Sequence, residues 1–119
     1  GWAIASLAAL YDVTGEPANN GMMGYGDTSQ LSSGIHQRQR SRAFIVVDRR
    51  TGRRVVHVVA DVGMIFQSVR DEVLKRLRAR YGSRYGESNV MLTATHTHSS
   101  NSMTSWSAAS RSFGSKCTP

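Results

Sequence analysis

Two apolar runs separated by a short turn restrict the fold of this chain more than any other feature. Phe44-Ile45-Val46-Val47 and Val55-Val56-His57-Val58-Val59-Ala60 are rich in β-branched side chains, and Asp48-Arg49-Arg50-Thr51-Gly52-Arg53 between them carries turn chemistry. Runs of this kind joined by a Gly-containing turn form a β-hairpin. Both are nearly continuous rather than alternating, the pattern of strands covered on both faces.

Beyond the hairpin the period changes. From about Met64 to Tyr81, Ile65, Val69, Val73 and Leu77 recur at helical spacing, Val62 and Phe66 extend the stripe, and Arg70, Asp71, Lys75, Arg76, Arg78 and Arg80 take the other faces. Basic residues in the last turn suit the helix dipole, and Gly82 is placed to cap it. A further buried strand, Asn89-Val90-Met91-Leu92-Thr93-Ala94-Thr95, then runs into His96-Thr97-His98-Ser99. The order strand, strand, helix, strand predicts an α/β or α+β layer: a partial sheet of at least three strands with one long amphipathic helix packed on it.

Length and composition fit one soluble core. The chain has 119 residues, 39% of them hydrophobic, enough for one domain and too few for two. No run approaches the roughly 18 apolar residues that cross a bilayer. Residues 1–11 are apolar and unpatterned, and admit three readings: the stub of a signal peptide without a basic n-region, an edge strand, or a start-site artefact. Residues 100–119 are Ser-rich with scattered hydrophobes and read as a coil-like tail. A single cysteine, Cys117, excludes an internal disulfide.

The net charge of +7 raises nucleic acid or an anionic membrane as a partner. The arginines gather between residues 38 and 54 and between 70 and 84, where a hairpin turn and a solvated helix face account for them. Neither a nucleic-acid-binding signature nor aromatics interleaved with the charge accompanies them, so nucleic acid is disfavoured.

His96 and His98 are the sharpest chemical feature. In an extended chain, side chains at i and i+2 share a face, so both imidazoles could approach one metal ion while Thr97 points elsewhere. A catalytic zinc takes three protein ligands and leaves a position for water, and this pair supplies at most two. Spacing alone leaves open the plainer reading of two polar residues at a strand end. His57, inside a hydrophobic strand, reads as a satisfied core histidine, and His36 falls in a loop. Asp61 could be a metal ligand, a partner to one, or the N-cap of the helix, and local context favours the cap.

Gly21-Met22-Met23-Gly24-Tyr25-Gly26 allows positive φ and close backbone approach, but lacks the Lys-Ser/Thr of a phosphate loop. Its methionines would suit an apolar acyl chain or plug a core, the second being the simpler role.

Five stretches in order together resemble the neutral ceramidases, enzymes that hydrolyse the amide of N-acylsphingosines. They are Asp12-Val13-Thr14-Gly15-Glu16, Gly21-Met22-Met23-Gly24-Tyr25, Arg40-Ser41-Arg42-Ala43-Phe44, residues 58–69, and residues 89–99. The resemblance spans roughly residues 12–99, which reads as a partial ceramidase-like catalytic domain. It implies that His96 is a zinc ligand, that His98 lies beside metal and substrate as a catalytic residue, and that Gly24 lies at the substrate mouth. It implies one zinc ion, a ceramide or other sphingolipid substrate, contact with a membrane surface, and a secreted or cell-surface location. Family members are several times longer and take a further His, a Glu and a Tyr to zinc from downstream, together with a catalytic serine and an immunoglobulin-like domain. Where they continue with a Gly-Pro-Gly-Gly-like turn, this chain has Ser100-Asn101-Ser102-Met103. The expectation is a truncated or frameshifted piece of the enzyme, inactive alone and with an incomplete zinc site. The alternative is a small basic module for nucleic acid or anionic membrane.

Overall fold

The computed structural model describes residues 4–100. Its main sheet has four strands in the order β1-β4-β5-β6, formed by β1 (Ile4–Asp12), β4 (Arg40–Asp48), β5 (Arg54–Ala60) and β6 (Val90–Ala94). Strands β2 (Ala18–Gly21) and β3 (Leu31–Ser33) make a separate antiparallel pair. The predicted mixed architecture is present, enlarged by β1: of the readings open for the N-terminal segment, the structure takes the edge strand, pairing Ile4 with Asp48 through Asp12 with Arg40. The predicted tail beyond residue 100, Cys117 included, lies outside the described residues.

The hairpin forms as its sequence dictates. Asp48 Oδ1 accepts the N–H of Arg50 at 2.9 Å and Oδ2 accepts the hydroxyl of Thr51 at 2.6 Å. Gly52 closes the turn with φ of 72°, a left-handed value that favours glycine. Strand β5 then pairs parallel with β6, Val56 opposite Val90 and Ala60 opposite Ala94. A parallel pair needs a crossover, and helix α1 (Gln67–Tyr81) supplies it. Gly82 ends α1 as expected, with φ of 63° and its N–H on the carbonyl of Arg78.

Val56, Leu74 and Val90 form the buried core, with Ile45, Val58, Leu77, Tyr85 and Leu92 packed against it. Two expectations are corrected here. Residues spaced by four overshoot a helix turn of 3.6 residues and advance about 40° per step, so the face on the sheet centres on Leu74, flanked by Val73 and Leu77, rather than on the Ile65-to-Leu77 series. The helix also starts later than Met64, at Gln67.

The second correction concerns the sheet. Helix α1 covers the face carrying Ile45, Val56, Val58, Val90 and Leu92, whereas the strands' other face stays open among the described residues. Phe44, Val46, Val55 and Met91 lie on that face and are 44%, 47%, 54% and 50% exposed. Continuous apolar strands prepare both faces for cover, and α1 covers one. No helix among the described residues is long and apolar enough to cross a membrane.

Candidate active site at the carboxyl end of the parallel strands

Strands β5 and β6 run parallel, so the segments that follow them, residues 61–66 and 95–99, emerge at the same end of the sheet. The N–H of Thr95 bonds the carbonyl of Ala60 at 2.9 Å, which carries the pairing one step past both strands. Ligands of open α/β sheets gather at such an end. The histidines leave β6 here.

The two imidazoles come together, but not by strand alternation. Strand β6 ends at Ala94, and His96 takes φ of 62°, a left-handed value uncommon for a residue with a side chain. The turn so formed folds His98 back toward His96, with ring centroids 5.0 Å apart and planes at 84°. The extended-chain premise of the sequence reading is therefore replaced by a turn, while the juxtaposition itself is present. Both histidines face solvent.

Nδ1 of His96 lies 2.8 Å from the carbonyl oxygen of Gly63. A carbonyl only accepts, so Nδ1 carries the proton and Nε2 keeps its lone pair. Metal-bound histidines are usually held in this way, one nitrogen donating to a carbonyl or carboxylate and the other free for the metal. His96 thus fits a zinc ligand. No group of three or more His, Cys, Asp or Glu side chains converges among the described residues, so the donor set present is the histidine pair.

Gly24 meets the same site from the loop between β2 and β3. Its φ is 81°, and a Cβ there would overlap Cε1 and Nδ1 of His98. The three residues singled out from sequence, His96, His98 and Gly24, are therefore neighbours in space. Sequence reasoning missed Gly63, and for Met23 it offered an acyl-chain contact or, more simply, a plug in a core: the Met23 thioether fills the space that a Cβ on Gly63 would need. The stretch 58–69 contained Gly63, but nothing local signals a hydrogen bond to a histidine 33 positions later.

The other candidates sit apart. His57 lies on the open sheet face, its Nε2 2.9 Å from Thr93 Oγ1, while that hydroxyl donates to the carbonyl of Val58 at 3.2 Å. It is satisfied, as expected, but not in the core beneath α1. Asp61 is not the helix cap: the N-cap is Phe66, without a side-chain bond. Instead Asp61 accepts Arg42 Nη1 at 2.8 Å and the N–H of Arg40 at 3.0 Å. The Arg42 hydrogen bond, with help from the Arg40 N–H, holds its carboxyl below the usual aspartate range against an opposing desolvation. His36 is exposed on the wall of a cleft of about 250 Å³ that also takes in Met22, Leu31, Ile35 and Ser99.

Comparison with known proteins bears on this arrangement. Residues 8–112 match the family model described as neutral/alkaline non-lysosomal ceramidase, N-terminal. The chain is 56% identical over 88 residues to the neutral ceramidase of Pseudomonas aeruginosa, covering 74% of this chain and 13% of that protein. It is 48% identical over 91 residues to the neutral ceramidase of Mycobacterium tuberculosis, covering 75% of this chain and 14% of that one. The crystal structure of the Pseudomonas aeruginosa neutral ceramidase superposes with a TM-score of 0.82 at 48% identity, covering 86% of this chain and 16% of that chain. This chain therefore spans about one seventh of the length of the relatives it matches.

Proposed function

This chain belongs to the neutral/alkaline non-lysosomal ceramidase family, and we propose that it supplies part of a zinc-dependent site that hydrolyses the N-acyl amide of ceramide. The observation that supports this most directly is the His96–Gly63 hydrogen bond, which leaves Nε2 of His96 as the ligand atom. Bound zinc would lower the pKa of its water and polarise the amide carbonyl. Around it, His96 would hold the metal. His98, its ring centroid 5.0 Å from that of His96, would bind the substrate or move a proton at a ring nitrogen. Gly24 would let the loop backbone approach the reacting amide without a side chain in the way. The cleft beside Met22, Leu31 and Ile35 offers an apolar wall for the start of an acyl chain. The products would be a fatty acid and a sphingoid base.

With two histidines converging among the described residues, the remaining ligands must come from elsewhere, and the chain alone is proposed to be inactive. The open face with Phe44, Val46, Val55 and Met91 agrees with a sheet built to be covered by further protein. A chimera tests the reading: residues 12–99 of this chain replace the matching segment of the Pseudomonas aeruginosa enzyme. The chimera should hydrolyse ceramide and lose this with His96→Ala. An inactive, folded, zinc-loaded chimera would overturn the assignment, as would ceramide turnover by the isolated chain for its inactivity.

A second reading rests on a separate observation. Arg53, Arg54 and Arg84 line an open polar cleft of about 450 Å³ with Tyr81, Ser83 and Asn89, at the end of the sheet away from the histidines. Several other cations are engaged: Arg38 and Arg40 with Asp12, Arg42 with Asp61, Lys75 and Arg76 with Glu72, and Arg78 with Glu87. The remaining basic pole suits an anionic membrane surface. Salt-sensitive binding to anionic vesicles, reduced by Arg53→Gln with Arg84→Gln, would support it, and indifference to vesicle charge would remove it.

A further inference from the structure

We infer that Met23 is a positioning residue that locks the glycine-rich loop onto the histidine turn, so that one side chain sets the register of both imidazoles. Gly63 is buried, and a Cβ built on it would overlap the ε-methyl of Met23, lie 2.6 Å from its sulfur and 3.3 Å from its Cβ. The φ of Gly63 is not among the positive values, so the backbone would accept alanine there. The three atoms nearest to a Cβ at 63 all belong to Met23. The unbranched thioether suits an irregular seat of this kind.

The two ends of this contact each address one histidine. The carbonyl of Gly63 accepts the Nδ1 proton of His96 at 2.8 Å. The residue next to Met23 is Gly24, whose α-carbon packs on the His98 ring closely enough to exclude a Cβ. Seating Met23 on Gly63 therefore joins the β2–β3 loop to the segment after β5 and presses Gly24 against His98. Without that seat, His98 loses the wall on one side of its ring. The Gly-Met-Met-Gly loop then acts on the site from behind, by holding side chains, in addition to any contact with substrate.

The inference takes its purpose from the proposed ceramidase site, but it is tested without metal or substrate, so its failure and the failure of that reading are separable. The histidine ring signals of the 119-residue chain are followed by NMR, with the amide signals of β4 and β5 as the control for folding. Gly63→Ala and Met23→Ala should each move the His98 ring signal toward its position in the urea-unfolded chain; residue 63 also reaches His98 through the His96 ring, so Met23→Ala, which leaves the Gly63 carbonyl in place, is the variant that isolates the Met23 seat. The double variant should move it less than the sum of the two, because the methyl at 63 occupies part of the space the thioether leaves. Met23→Leu, which refills the seat, should largely restore the signal. An unmoved His98 signal in Met23→Ala, or strictly additive shifts in the double variant, would overturn the inference. Should Gly63→Ala fail to fold, the contrast between Met23→Ala and Met23→Leu decides alone.

Discussion

His96 donates its Nδ1 proton to the carbonyl of Gly63 across 2.8 Å, joining the turn after β6 to the turn after β5. The bond fixes the tautomer, and with it the single nitrogen that can face a metal. Because this histidine sits at φ of 62°, the bond also helps keep a strained backbone in place.

Zinc binding by this chain should accordingly be weak and should depend on His96. Two imidazoles do not fill a tetrahedral site, so affinity falls well short of a complete three-ligand centre. His96→Ala should abolish the binding, and His98→Ala should weaken it less. Calorimetric titration with zinc checks both. Tight one-to-one binding by the unaltered chain would show that further ligands close the site locally.

Gly24→Ala should disturb His98 and cost stability at once. The new methyl would enter the space of the imidazole, and φ of 81° is unfavourable for alanine. A loss of about 1–3 kcal/mol in denaturant unfolding is expected from the backbone conformation and the displaced ring. The variant should also shift the His98 ring signal while leaving the sheet amides in place. A neutral result in both measurements would mean that the loop does not press on His98.

The Arg42–Asp61 pair should tie stability to acid pH. Asp61 is depressed below the ordinary aspartate range by the hydrogen bond from Arg42 first, and by the Arg40 N–H. A group whose folded pKa is lowered stabilises the fold above its unfolded pKa, about 3.9 for aspartate, and loses that contribution as pH falls through the folded value. Asp61→Asn should therefore lower stability at neutral pH by about 1–2 kcal/mol, between an exposed and a buried pair. It should also flatten the dependence of stability on pH below about 4. Urea midpoints across that range would show it; parallel curves for the two proteins would contradict the assignment.

The elements were legible because each had a local cause: the β-branched runs and their Asp48–Gly52 turn, the α1 period, and the Gly82 cap all act within a few residues. The site was legible in part. His96 and His98 stood out as residue types, and the family resemblance added Gly24. What joins them was not readable, because the bond from His96 to Gly63 and the seat of Met23 on Gly63 connect segments far apart in the chain. Asp61 was misread for the same reason: beside a helix it resembled a cap, while its partners Arg40 and Arg42 lie across the sheet on β4. The open face of the sheet follows from what covers a strand, and apolar strands state only a readiness for cover.

The helix offers a last test of how pattern and packing differ. The four-residue series places Val69 and Leu77 on one stripe and passes over Leu74, yet Leu74 is the helix residue in the core, at 4% exposure against Val56 and Val90. Leu74→Ala should cost about 2–5 kcal/mol, since the sheet cannot close the cavity that a rigid helix leaves. Val69→Ala, at a half-buried position near the first turn, should cost clearly less, because fewer groups surround the removed methyls. Denaturant unfolding of the two variants distinguishes the alternatives. If Val69→Ala proves the more damaging, the helix sits on the sheet by its four-residue stripe, and the packing around Leu74 does not hold α1 in place.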